Sequence, residues 1–254
     1  MNLSLAFASF ISSLLVAAPS ASACGVKAKS YGLKGAESMG PKGKAGKGSG
    51  GSEEAVYSMS NNPDNELVVY SVGAGGTLSF ADRISTGGMG GGLDGGFLDA
   101  TDPVIVAGRC VLNVNFGSND ISTYFINSAT DLEFKGTFSS GGSGPVSLAS
   151  TGRTVFALNA GGNGSIQGFQ LNPRFCTLTP NGGAVELDQE VVPMAGFSPG
   201  FIAPSQIGIT PDGKVNALIK ITNGGGGVGT FNIYDIEDGA VDPESLQQIP
   251  VSGV

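Results

Sequence analysis

One order of residues recurs three times along this chain. A proline opens a short apolar run that ends in a Gly-Arg or Gly-Lys turn. A second apolar run follows and closes on a polar residue six positions after the basic one. Pro103, Arg109 and Asn115 mark the first copy, Pro145, Arg153 and Asn159 the second, and Pro204, Lys214 and Lys220 the third. A Gly/Asn loop then leads to a third run bearing an aromatic (Tyr124, Phe169 or Phe231), and a fourth run begins near Leu132, Leu178 and Val241. Ala55 to Asn61, Tyr70 and Leu78 repeat the pattern without its opening run.

Short apolar runs bounded by glycine turns read as β-strands. Four-stranded units spaced about 40 to 60 residues apart are the sequence mark of a β-propeller. Each small sheet has two apolar faces and can bury both only against neighbouring copies of itself. A β-sandwich has no cause to reuse one Pro–Gly–Arg–Asn order. Composition agrees: 43 of 254 residues are glycine, tryptophan is absent, and no long window repeats apolar residues at helical spacing. The expected fold is all-β, a partial propeller of about four blades over residues 53–254, forming an open arc.

Residues 1–23 have the order of a secretory leader. A short start precedes the mostly apolar Leu5 to Ala18, and small residues at Ala21 and Ala23 suit signal peptidase. The apolar run is too short to span a bilayer. Removal places the mature chain outside the cell, or in the periplasm of a bacterium. Residues 24–52, with six lysines against Glu37, read as a flexible Lys/Gly segment. Residues 53–254 carry seven basic and twenty acidic residues, a balance that repels phosphate backbones and argues against nucleic-acid partners.

Three cysteines in an exported chain allow one internal disulfide. Cys110 and Cys176 both lie in the repeats and are the natural pair, although sequence does not establish the pairing. Asn163-Gly164-Ser165 is a glycosylation sequon, usable if the host is a eukaryote.

Three stretches, Pro204 to Lys214, Phe156 to Phe169 and Val114 to Tyr124, resemble blades of the lactonase-type seven-bladed propellers, which include 6-phosphogluconolactonase-like and carboxymuconate cyclase-like proteins. The resemblance spans residues 53 to about 250 and implies a site at the mouth of the central channel. There the second-to-third strand loops and the blade-to-blade loops emerge together. Asn61, Asn115, Asn159, Gln206 and Lys220 are the candidate ligand-binding residues on that face; alternatively, the asparagines serve their own turn backbones.

The resemblance also implies a histidine acting with acidic and Arg partners. This chain contains no histidine, so no catalytic residue carries over and imidazole metal sites are excluded. No cofactor is implied. Two readings stand: a lactonase or cyclase acting on a lactone or muconate-like carboxylate, or a non-catalytic extracellular propeller that binds a small ligand or a protein.

Overall fold

In the computed structural model, residues 16–17, 54–92, 101–187, 201–222 and 228–252 are described. Most of them are in strands and none is in an α-helix. Four antiparallel four-stranded sheets follow one another along the chain. The first comprises β1 (Val16–Ala17), β2 (Glu54–Met59), β3 (Glu66–Val72) and β4 (Leu78–Ser85). The second comprises β5 (Val104–Ala107), β6 (Cys110–Asn115), β7 (Asp120–Ile126) and β8 (Leu132–Ser139). The third comprises β9 (Pro145–Thr151), β10 (Thr154–Asn159), β11 (Ser165–Asn172) and β12 (Thr177–Glu186). In the fourth, β13 (Phe201–Ile209), β14 (Val215–Thr222) and β15 (Val228–Tyr234) are joined by β18 (Gln247–Ser252). Successive sheets pack face to face, as blades of a propeller-type fold.

Position within a blade decides the residue pattern. The second strand lies between its own sheet neighbours and between two adjacent sheets, so β6 is buried at every position. It therefore cannot alternate apolar with polar residues as a half-solvated strand does. The outermost strand β8 has water on one side, and none of its positions is fully buried. Leu112, Ile121, Leu148, Phe156, Leu158 and Ile166 are fully buried in the resulting core, each worth about 1.5–3 kcal/mol of burial. The first-to-second strand turns place Gly108 at φ 64° and Gly152 at φ 59°, a region that side chains with a Cβ rarely enter. This explains the recurrent Gly-Arg.

A feature invisible in the sequence also recurs. Where the third strand meets the fourth, the register slips at Val69/Tyr70, at Thr123/Tyr124 and between Ile166 and Gly168. The bulge sits beside the third-strand aromatic, and in the first two sheets that ring meets one from the outer strand. Tyr70 lies edge-on to Phe80 at 6.3 Å and Tyr124 is tilted against Phe134 at 5.6 Å. Bulges add twist, which suits sheets stacked about an axis.

Two expectations are corrected. The fourth strand of the last unit does not begin near Val241. Val241 belongs to a two-residue hairpin, β16 (Ile236–Glu237) with β17 (Ala240–Val241), turned by Asp238 and Gly239 at φ 50° and 82°. Such an Asp-Gly pair selects a tight hairpin. Pro243 then opens a short 3-10 turn capped by Asp242, whose carboxylate accepts from the Glu244 amide. The fourth strand starts only at Gln247. Nor does the first unit lack an opening strand: Val16 and Ala17 pair with Tyr57 and Val56. That pair falls within the expected leader, whose other residues lie outside the described ones.

A disulfide joins Cys110, at the start of β6, to Cys176, in the turn before β12. It ties the second sheet to the third, and both residues are fully buried.

Candidate functional site

The first strands β5, β9 and β13 lie side by side along the inner wall of the stack and bound an open groove of about 380 Å³. Ile105 and Val106 from β5, Leu148 and Ala149 from β9, and Ile207 and Ile209 from β13 are its apolar side chains, beside Ser150 of β9 and Gly208 of β13. Asp102 lines one end. Among the described residues lining the groove it is the only ionisable one.

Asp102 is held by all three blades. It precedes Pro103 and the start of β5, in a left-handed conformation at φ 61°, which Asp tolerates better than most residues. Its carbonyl accepts from the Leu148 amide of the third sheet at 2.9 Å. Its Oδ2 accepts from Gln206 Nε2 of the fourth sheet at 3.4 Å. Neighbouring bonds extend the lacing. Ser147 Oγ donates to the Thr101 carbonyl at 2.6 Å and accepts from the Ile207 amide at 3.2 Å. The Thr101 amide reaches the Ser205 carbonyl at 3.3 Å. The segment just before Pro103 is thus where three sheets are clamped together, and Asp102 there is half-buried.

The loops around this end interlock. Gly90 and Gly92 of the β4–β5 connection donate to the carbonyls of Asn62 and Asn61 in the β2–β3 loop. Gly117 of the β6–β7 loop donates to Met89, and Gly161 of the β10–β11 loop to Ser143. Second-to-third strand loops and blade-to-blade loops therefore do share one face.

The sequence-derived candidates divide on this geometry. Asn61, at φ 54°, accepts the Gly91 amide on its Oδ1 at 2.8 Å. Asn115 is fully buried. Its Nδ2 donates to Asp120 Oδ1 at 2.5 Å and Ser122 Oγ at 2.7 Å, and its Oδ1 accepts from Asn65 of the preceding sheet at 2.8 Å. Asn159, also buried, donates to the Ser140 carbonyl and Ser165 Oγ, both at 3.2 Å. A blade-to-blade glycine covers each of these two: a Cβ on Gly88 would lie 2.4 Å from Asn115 Nδ2, and one on Gly142 2.6 Å from Asn159 Nδ2. These asparagines brace the loop face. Gln206 alone of the candidates meets Asp102. Lys220 lies in β14 opposite Ala203 and Gly229, and its side chain lies outside the described residues. Asn163 is exposed in the β10–β11 loop.

Asp102, Thr101 and Ser147 were not singled out by the sequence. The available signal was positional: an Asp directly before the proline that opens a unit, at the end of a loop already assigned to this face. The clearest pKa displacements lie elsewhere. Burial pushes the Tyr124 phenol far above its ordinary value, with a hydrogen bond from Ser122 opposing it. The hydrogen bond to Asp235 raises Lys214. No three His, Cys, Asp or Glu side chains gather as a metal site among the described residues, and no described helix is long and apolar enough to cross a membrane.

No family model and no curated protein matches the chain. Solved structures do. A protein from Lactobacillus plantarum aligns with TM-score 0.57 at 18% identity, covering 77% of this chain and 54% of its own. A candidate 6-phosphogluconolactonase from Bacteroides uniformis aligns with TM-score 0.50 at 18% identity, covering 78% and 53%. A protein of unknown function from Desulfotomaculum acetoxidans gives 0.51 at 13% identity, covering 80% and 58%. At these identities the likeness concerns the fold alone. The chain spans about half the length of the structures it matches.

Proposed function

We propose that this protein is an exported lactone-directed propeller that opens the lactone ring by hydrolysis at the mouth of its inner groove. One observation carries the reading: a half-buried carboxylate, Asp102, is the one ionisable group among the described residues lining the groove and is fixed there by contacts from two other blades. The likeness of the fold to a candidate 6-phosphogluconolactonase supports the substrate class, and the buried Cys110–Cys176 bond supports an oxidising compartment.

In this mechanism Asp102 takes a proton from a water that attacks the lactone carbonyl, and the ring C–O bond breaks. The proton passes to the departing alkoxide, leaving a hydroxy acid. Gln206 Nε2 orients the carboxylate, and the apolar walls receive the ring. Lactones are activated esters, so a single general base, worth roughly 10²–10⁴ in rate, suffices without a histidine.

Hydrolysis of glucono-δ-lactone by the full chain, followed by acid release, tests this. Asp102→Asn should remove at least about 100-fold of the protein-dependent rate while leaving the far-ultraviolet spectrum unchanged; an undiminished rate refutes the role. A second reading, capture of a ligand without turnover, is favoured by the lack of any other ionisable group on the groove among the described residues. It predicts that the lactone raises the melting temperature without being hydrolysed.

A further inference from the structure

Three main-chain edges open onto the groove without a partner in their own sheets. In an antiparallel pair, residues alternate between bonding the neighbouring strand and turning their N–H and C=O away from it. The Leu148 amide goes to Asp102 and not to β10, so Ser150, two residues on, also turns its main chain away from β10. The Ile207 amide goes to Ser147 Oγ, so Ile209 turns away from β14. The Val114 amide bonds the Pro103 carbonyl, which leaves Val106, opposite Val111, turned away from β6. β5, β9 and β13 each stand at the edge of their sheet and do not pair with one another. Val106, Ser150 and Ile209 line the one groove together.

The groove therefore holds neutral donors and acceptors from three strands, set among apolar side chains. Along β9 they lie about 7 Å beyond the level of Asp102, since Ser150 is two extended residues past Leu148. A ligand that covers main-chain groups must replace the hydrogen bonds that water gave them. A secondary amide is suited to this. Its N–H and C=O point in opposite directions, so one amide can bond two of the three edges at once. Its apolar neighbours then lie against Ile105, Leu148 and Ile207. Sugar hydroxyls can meet the same edges, but others on the ring must then face those three side chains, which give them nothing to bond.

We infer that the groove is built for a ring lactone carrying a secondary amide on the carbon beside its carbonyl, an α-acylamino lactone. This rests on the lactone-directed reading above and names its substrate class. A water between Asp102 and the lactone carbonyl sets that carbon about 6 Å from the carboxylate. The amide on the next ring carbon then falls near the level of Ser150, and the acyl chain runs on toward Val106 and Ile209.

The test is hydrolysis by the full chain of α-hexanoylamino-γ-butyrolactone, of α-hexanoyloxy-γ-butyrolactone, which has an ester in place of the amide, and of glucono-δ-lactone. Ring-opened products are separated by chromatography, and each kcat/KM is divided by that compound's own rate with hydroxide. The amide should exceed the ester by about ten-fold, because the ester lacks the N–H and leaves a main-chain carbonyl covered and unbonded. It should also exceed glucono-δ-lactone. Amide and ester within about two-fold of each other, or faster turnover of glucono-δ-lactone, overturns the inference and leaves the lactone-directed reading standing. Ser150→Pro locates the contact: it removes an N–H that β10 does not use, as proline at a sheet edge does. Its loss of kcat/KM should be several-fold greater for the amide than for unsubstituted γ-butyrolactone; an equal loss, or none, overturns the inference. Should that variant not fold, the amide-to-ester ratio of the parent decides alone. If no lactone is hydrolysed, that reading falls, and the preference is read by calorimetry from two rings that cannot open, 2-hexanoylaminocyclopentanone and 2-hexanoyloxycyclopentanone. Tighter binding of the amide upholds it; equal binding, or none, overturns it.

Discussion

Replacing both Cys110 and Cys176 by alanine should lower the stability of this fold substantially. The bond closes a loop of 66 residues between the second and third sheets. In the chain-entropy description, freeing a loop of that length returns roughly 4 kcal/mol to the unfolded state, and observed losses of this kind run about 2–4 kcal/mol. Alanine also removes two fully buried sulfurs, which pushes the effect to the upper part of that range. For a chain of this size about 3–4 kcal/mol corresponds to a fall in Tm of roughly 10 °C. Thermal and urea unfolding of the double variant beside the parent, under oxidising conditions, gives the number. Parent protein treated with dithiothreitol without denaturant should keep its bond far longer than after unfolding, because a buried disulfide is shielded from thiolate attack. A double variant within about 1 kcal/mol of the parent refutes the reasoning: the two sheets would then be held together by their apolar faces alone, and the loop would already be constrained when unfolded.

Two further outcomes follow from buried polar groups. Asn115→Ala removes the donor to Asp120 and Ser122 and leaves Asn65 Nδ2 only the Val114 carbonyl, so urea unfolding should show a loss of about 2–4 kcal/mol; a loss near zero would mean that water replaces the amide. Tyr124 is fully buried with its phenol raised by desolvation, so its contribution is complete below the unfolded value near 10 and is lost as pH rises beyond it. Stability should fall by up to about 1.4 kcal/mol per pH unit above pH 10 on this account, and Tyr124→Phe should flatten that part of the urea-midpoint profile.

The blades were legible because their physics is local and repeated. A strand buried on both faces must be apolar throughout, a left-handed turn position must be glycine, and both requirements recur in the same order at Gly108-Arg109 and Gly152-Arg153. The departures came where a local signal was outweighed or shared. Val241 has a good strand residue's chemistry, yet Asp238-Gly239 folds it back into a hairpin before it can join the sheet. The opening strand of the first unit went unseen because Val16 and Ala17 lie in a continuous apolar run, and a strand of two residues has no periodicity to betray its pairing with Val56 and Tyr57. The asparagines closing β6 and β10 were correctly placed at the loop face, but a polar residue at a strand end looks the same whether it meets a ligand or a neighbouring blade. Asp102 was hidden for the opposite reason: its importance comes from Leu148 and Gln206, 46 and 104 positions away in the chain, and no short pattern encodes such a meeting.

The glycines that press on Asn115 and Asn159 also say where this architecture can be divided. Gly88 precedes the sheet whose asparagine it covers, as does Gly142, and the Thr86 carbonyl accepts from Ser122 in that same following sheet. A module lifted out at its first strand would abandon its own cover on the donor protein. One beginning at Thr86 or Ser140 takes the cover along, so chimaeras and duplications should be spliced immediately after an outermost strand.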